Sequence, residues 1–312
     1  MDVLPAKTFP FQGRLFKRLD HASRKLLLPD KAWAGFAHPA GEPALRQPDS
    51  VSWRIFKNPV TVFIGGVTAV ILELAEPRVR SGVWEHSGFR SDPVRRLRRT
   101  GLAAMVTVYG ARSSAETMIA GVRRMHARVR GETPCGQPYF ANDPGLLNWV
   151  QATAAFGFMQ AYHTYAAPLP RADRDRYYRE GEAAARLFGA TGPPLSEADV
   201  QAYFRAMQPR LEPSPVIFEF LDIMRTTRIL PLVFHPVQSL LVRAAVSLTP
   251  AWVCHILGLG SGHRLRSWEA ALVRQGSALA DRIVLESSPA VQSCLRLGLP
   301  ADYLYRYARS SN

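Results

Sequence analysis

Cysteine is scarce in this chain, with only Cys135, Cys254 and Cys294 among 312 residues. The three are scattered and odd in number, and neither CxxC spacing nor clustered histidines accompany them, so the sequence indicates no zinc site. The N-terminal residues are basic but lack the apolar stretch and the small-residue cleavage site of a secretory signal. We therefore expect a reducing compartment and a cytoplasmic location.

Long apolar runs are also few, and two stretches approach the length of a membrane span. Residues 60–75 contain Glu73, and residues 229–259 are interrupted by Pro231 and Arg243. Charged groups and exposed backbone breaks are costly in the hydrocarbon core of a bilayer. The sequence thus favours buried helices in both places, with peripheral membrane contact as the alternative.

Strand signals are missing as well, because the chain has no sustained alternating pattern, no Asn-Gly hairpin and no Rossmann-like glycine spacing. A capping residue followed by proline instead predicts helix starts at Asn58-Pro59, Asp92-Pro93 and Asp143-Pro144. Periodicity extends the predicted helices over residues 13–27, 60–76, 92–109, 113–131, 143–165, 171–188, 196–207, 215–227, 231–248, 251–257 and 267–286.

These segments predict an all-α fold with one large multi-helix domain. Residues 1–58 are basic and interrupted by prolines, which is typical of an arm that wraps around a domain. We place the helical domain at residues 59–290 and a C-terminal tail at residues 291–312.

Lysine disappears after Lys57, so arginine carries nearly all of the remaining positive charge. Residues 78–130 contain twelve arginines against the three acids Glu85, Asp92 and Glu116, a net charge of +9. Arginine makes planar, bidentate contacts with carboxylates and phosphates, so this segment is suited to holding an anion. The chain shows no helix-turn-helix and no aromatic RNA-binding platform, and we expect no nucleic-acid partner.

One histidine lies in an apolar stripe of the predicted helix over residues 113–131. The members of the stripe are Ile119, Val122, His126 and Val129. By default such a histidine is a core residue whose ring nitrogens are satisfied. Arg123 and Arg130 border the stripe, and this favours a second interpretation. An iron porphyrin requires an axial nitrogen, an apolar wall and cations for its carboxylates.

The preceding helix carries further polar groups at the height of His126 along the helix axis. Arg96, Arg99 and Thr100 share one face at spacings of three and four. They lie about twelve residues before the break at residues 110–112, and His126 lies about fourteen after it. If the two helices form an antiparallel hairpin, all four side chains address one ligand. The alternative is a solvated arginine face.

Two other positions have a candidate role in chemistry. Glu85 is suited to act as a general base or to orient a bound oxygen species, and His86 is either a second ligand or a structural hydrogen-bonding group. Gln151 has an amide side chain at a position suited to a further metal-binding residue.

In order along the chain, these motifs resemble the MpaB-type oxygenase family, which includes the latex-clearing rubber oxygenases. The resemblance covers roughly residues 50–260 and is strongest over residues 83–152. The ordered motifs are His86 to Phe89, Asp92 to Arg96, Arg99-Thr100, Tyr109-Gly110, Arg123 to Gly131, Tyr139 to Pro144 and Leu147 to Val150.

The resemblance implies a globin-reminiscent helical core that binds haem b and uses dioxygen to cleave a double bond in an apolar isoprenoid. It implies that His126 is the proximal iron ligand, flanked by Arg123 and Arg130 as cofactor-binding residues. Arg96 and Thr100 match polar pocket residues of the rubber oxygenases.

Three positions bear on the distal chemistry. Arg99 falls where the family has a lysine, and a guanidinium cannot bind iron. Glu85 is the best match to the catalytic carboxylate. Gln151 replaces a histidine of many family members.

We therefore expect a haem b-dependent oxygenase that acts on an apolar substrate of isoprenoid or lipid-like kind. Its candidate catalytic residues are Glu85, Arg99 and Thr100, and its candidate haem-binding residues are Arg96, Arg123, His126 and Arg130. The alternative is a non-catalytic helical protein that binds lipid or touches a membrane surface. A hydrolytic or non-haem metal enzyme is not favoured, because HxxE, GxSxG and paired-carboxylate motifs are missing.

Overall fold

The computed structural model of the protein describes residues 34–227 and 235–306. The helices are α1 (Ala34–Ala37), α2 (Val51–Phe56), α3 (Pro59–Glu73), α4 (Pro77–His86), α5 (Pro93–Tyr109), α6 (Arg112–His126), α7 (Pro144–Tyr165), α8 (Arg171–Phe188), α9 (Glu197–Met207), α10 (Pro215–Thr226), α11 (His235–Leu248), α12 (Ala251–Ile256), α13 (Ser267–Ala280), α14 (Pro289–Arg296) and α15 (Tyr303–Arg306). Short 3-10 helices lie at Gln208–Arg210 and Ser261–His263. The described structure confirms the predicted all-α fold. The predicted helix over residues 13–27 lies outside the described residues.

Side-chain caps explain why the predicted helix starts are confirmed. Asn58 Oδ1 accepts hydrogen bonds from the backbone N–H groups of Val60 and Thr61, at 3.1 and 3.2 Å. Asp92 and Asp143 each accept one from the residue three positions later, both at 3.1 Å. These bonds satisfy donors that have no partner inside the helix, and the proline at the first position has no N–H to satisfy.

The segment around Pro77 differs from the prediction. The sequence predicts a helix over residues 60–76, but α3 ends at Glu73 and Pro77 begins a second helix, α4. Glu76 caps the new helix by accepting from the backbone N–H of Val79 at 2.8 Å. The short helices α2 and α14 were not predicted either.

The predicted extension of α6 to Gly131 is wrong, because the helix ends at His126. A strand β1 (Arg130–Glu132) follows and pairs antiparallel with β2 (Pro138–Phe140). A Cβ atom on Gly131 would lie 2.7 Å from Tyr139 Oη, so only glycine lets the tyrosine cross the strand here. The cross-strand pairing thus overrides the helical periodicity of the sequence.

The centre of the fold is the crossing of α3 and α7, which pack against each other along their length. At the crossing, a Cβ atom on Gly65 would lie 2.7 Å from the backbone of Phe158, and one on Gly157 would lie 2.4 Å from the carbonyl oxygen of Gly65. Two glycines therefore allow the helix backbones to touch. Trp53 and Trp149 are fully buried beside this pair.

No single helix of residues 34–227 and 235–306 is long and apolar enough to cross a membrane. The helices α3 and α4 together meet the length and composition requirement, but they are bent by 115° at the break between them.

Candidate functional site

A cavity of about 1470 Å³ lies between α3, α5, α6 and α7 and extends to α8, α11 and α13. Most of its wall is apolar. The apolar lining includes Phe63, Val67 and Val70 of α3, Leu97 and Leu102 of α5, Val122 and Met125 of α6, and Val150, Ala154 and Phe158 of α7. Such a wall excludes water and binds apolar molecules.

Four of the predicted site residues line this cavity, namely Arg96, Arg99, Thr100 and His126. The antiparallel packing of α5 and α6 brings them together, as the spacing from the break had indicated. Arg99 Nη2 donates a hydrogen bond to the Sδ atom of Met125 at 3.4 Å, which places Arg99 beside the residue that precedes His126.

The imidazole of His126 has a nitrogen without a partner. Its Nδ1 atom is buried and makes no hydrogen bond. Burial lowers the pKa of His126, and the nearby charge of Arg96 lowers it further. The ring is therefore neutral at physiological pH and keeps a lone pair for a metal ion.

Arg96 and Thr100 form one hydrogen-bonded pair on α5. The guanidinium donates to Thr100 Oγ1, and that hydroxyl donates to the backbone carbonyl of Arg96 at 3.0 Å. The Cζ atom of Arg96 lies 5.3 Å from the centroid of the Phe89 ring, a cation–π contact. Arg96 Nε is buried without a partner. The side chain is therefore fixed in place, and part of its hydrogen-bonding capacity is left unused.

The carboxylate that faces the cavity is Glu73, which the sequence reasoning did not identify as a site residue. Glu73 is the last residue of α3 and lines the cavity. With the described residues its side chain makes no hydrogen bond and no ion pair. Burial raises its pKa to about 7, although the charge of Arg96 opposes the shift. The sequence feature that could have identified Glu73 is a lone acidic residue in an otherwise apolar helix.

Glu85 is exposed and does not line the cavity. Its Oε2 atom accepts a hydrogen bond from Tyr139 Oη at 2.9 Å, and the same hydroxyl lies 3.0 Å from His86 Nε2. Burial and the bond to Glu85 raise the pKa of Tyr139 to about 12. Glu85 therefore contacts the cavity only through Tyr139, which lies in the wall together with His86.

The structure also keeps Arg123 and Arg130 out of the cavity wall. Both side chains are exposed. The guanidinium of Arg123 lies next to Gly189, and Arg130 stands opposite Phe140 in the β1–β2 pair. Arginines that do line the cavity include Arg98 along with Arg96 and Arg99. Gln151 lines it as well.

These features fit an iron porphyrin. The cavity offers a neutral imidazole with an orphaned nitrogen, an apolar wall and arginine side chains. Those are the axial ligand, the slot and the cations for carboxylates that such a cofactor requires.

A family model matches residues 53–279, and its description reads ER-bound oxygenase mpaB/B'/Rubber oxygenase, catalytic domain. The match covers most of the chain and every site residue discussed above. The comparisons with curated proteins and with solved structures found no match.

Proposed function

The chain belongs to the catalytic-domain family of the ER-bound oxygenase MpaB and the rubber oxygenases, as its ordered motifs had indicated, and on that premise we propose that it is a haem b-dependent oxygenase of an apolar substrate. It is accordingly an oxygenase, an oxidoreductase, rather than a non-catalytic binding protein. The observation that carries the proposal is the orphaned Nδ1 atom of a neutral His126 in the wall of a large apolar cavity.

Several residues would hold the cofactor. His126 would supply a nitrogen ligand to the iron, and Arg96 and Arg99 would pair with the porphyrin carboxylates. Arg123 and Arg130, proposed from the sequence for the flanking role, do not line the cavity and are less suited to it. When bound, haem would supply the iron that activates dioxygen.

The cavity has room for more than one molecule. Its volume of about 1470 Å³ exceeds the roughly 300–1,000 Å³ of typical small-molecule sites. This volume leaves room for a porphyrin together with an apolar substrate. The lining of valine, leucine and phenylalanine side chains binds the substrate by excluding water and offers few polar groups to recognise a hydrophilic one.

Glu73 is the best-placed group to move a proton. With a pKa of about 7, its carboxyl group exists in both protonation states near neutral pH, so a carboxylate oxygen can accept a proton from the substrate and return it. The charge of Arg96 stabilises the ionised form. We propose this role for Glu73 in place of Glu85, because Glu85 reaches the cavity only through Tyr139.

Absorption spectroscopy tests the cofactor directly. Protein produced with haem supplied should show a Soret band, and His126→Ala should abolish it or shift it strongly. His255→Ala is the matched control, because His255 is exposed and lies outside the cavity. Colourless wild-type protein that takes up no haem would overturn the proposal, as would an unchanged band in His126→Ala.

A further inference from the structure

One helix of the cavity wall exposes large apolar side chains to solvent. On α13, Trp268, Leu272 and Leu279 are 59%, 50% and 64% exposed. Successive helical residues turn by about 100°, so these three positions fall within about 40° of one another on one face. Isolated exposed leucines are ordinary, but several on one helix face form a patch that is typical of an interaction site.

The patch shares residues with the cavity wall. Leu272 and Leu279 belong both to this exposed face and to the cavity wall. Val237 of α11 and Met125 of α6 also line the cavity and are 38% and 47% exposed. Three helices therefore contribute apolar side chains that are both exposed and part of the wall, and we call this set, together with Trp268, the apolar rim.

The arginines near the apolar rim have no acidic partner. Arg98 and Arg99 line the cavity, Arg99 bonds to Met125 of the rim, and Arg282 lies just after α13. All three are exposed, and none forms an ion pair with the described residues. Of the acids in this segment, Glu269 and Asp281 are buried and paired with Arg243 and Lys57, which leaves Glu286 as the exposed one.

We propose that the apolar rim docks onto a lipid bilayer with anionic headgroups and that the apolar substrate enters the cavity from the bilayer. Apolar side chains with exposed arginines beside them match the acyl boundary and the negative surface of such a membrane. A second copy of the chain is a poorer occupant, because each copy has a net charge of +14 and the rims would repel. The entry route rests on the proposed function, whereas the docking does not.

Vesicle flotation of the full chain tests the docking. Wild-type protein should float with vesicles of phosphatidylcholine and phosphatidylserine and bind weakly to phosphatidylcholine alone. In the double variant Leu272→Gln/Leu279→Gln the bound fraction should fall at least about tenfold, because two apolar anchors are lost. Arg98→Gln/Arg282→Gln should weaken binding only to the anionic vesicles and reduce its salt dependence.

Leu295→Gln is the matched control, because Leu295 is also 50% exposed but lies on α14 away from the cavity. It should float like the wild type. Thermal unfolding of each variant checks the fold, and these exposed substitutions should leave it unchanged. Equal flotation of the double variant and the wild type would overturn the proposal, as would wild-type protein that binds no vesicles.

A dimer that light scattering detects in the wild type and that Leu272→Gln/Leu279→Gln dissociates would assign the rim to a second copy and would also overturn the proposal. Colourless protein that still floats through its apolar rim would refute the haem proposal alone, so the two failures are distinguishable.

Discussion

Two polar clusters in this protein differ in whether their charged groups have partners. In the first, Lys57 Nζ donates to Asp281 Oδ2 at 2.8 Å and to the Asp281 backbone carbonyl at 2.6 Å. Asn58 Nδ2 and Tyr162 Oη donate to the same carboxylate at 3.2 and 3.0 Å. We call this the paired cluster. It connects the start of α3 and the C-terminal end of α7 to the end of α13.

The second cluster consists of Glu73, Arg96 and His126 and is left unsatisfied. The carboxylate of Glu73 makes no hydrogen bond with the described residues, and Arg96 Nε and His126 Nδ1 are buried without partners. Unsatisfied buried groups cost free energy, and the groups of this cluster line the cavity, where a bound ligand can satisfy them. The comparison teaches that the charges of the paired cluster are satisfied within the protein, whereas the unpaired cluster leaves its groups available to a ligand.

The largest expected effect is in the paired cluster. Asp281→Ala removes the acceptor of three donors and leaves the ammonium of Lys57 buried without its counter-ion. We expect the free energy of unfolding to fall by about 3–5 kcal/mol. Urea unfolding of the variant and the wild type measures this loss. In the control Asp302→Ala, which breaks only an exposed ion pair with Arg306, the loss should stay below about 1 kcal/mol.

Glu73→Gln should raise the free energy of unfolding, by less than Asp281→Ala lowers it. In the folded protein the pKa of Glu73 is about 7, against an ordinary value of 4.5, so the folded state holds more protons between these two pH values. The stability of the wild type therefore decreases as the pH rises from about 4.5 through 7. At pH 8 the variant should unfold with a free energy about 1–2 kcal/mol higher, because it lacks the unsatisfied carboxylate.

Unfolding curves measured from pH 4 to pH 8 check this, with Glu85→Gln as the control that should keep the wild-type slope. If stability in Glu73→Gln depended on pH as it does in the wild type, Glu73 would not be the group with the raised pKa.

The same two variants separate the candidate carboxylates in function. Oxygen uptake with an apolar substrate should fall in Glu73→Gln, by about 10²–10⁴-fold for a lost proton-transfer group, and much less in Glu85→Gln.

The smallest expected effect on stability is that of His126→Ala. In haem-free protein His126 has no hydrogen bond to lose, so the free energy of unfolding should change by less than about 1 kcal/mol. Thermal or urea unfolding of the haem-free variant and wild type gives the difference. A loss comparable to that of Asp281→Ala would make His126 a structural core residue instead.

Much of the secondary structure could be predicted because its signals are local. The caps at Asn58, Asp92 and Asp143 act on the backbone within three residues, so each helix start is encoded beside itself. The height match of Arg96 and His126 also followed from the helical rise, once α5 and α6 were taken as a hairpin. Both predictions hold in the structure.

Other features depend on contacts between distant segments. The end of α6 at His126 results from the pairing of β1 with β2, which no periodicity of the helix itself records. Glu85 and Glu73 are twelve residues apart, and only the packing around the cavity shows that Glu73 faces it while Glu85 bonds to Tyr139.

By itself, then, the sequence determined the helical class and the helix starts. It also determined that Arg96 and Arg99 of α5 lie at the height of His126 on α6. Propensity, capping and periodicity act over a few residues, so these features are encoded locally. The tertiary structure decided which carboxylate enters the cavity, which arginines turn away from it and where its apolar rim meets solvent. Burial depends on what every other element covers, and that is a property of the whole fold.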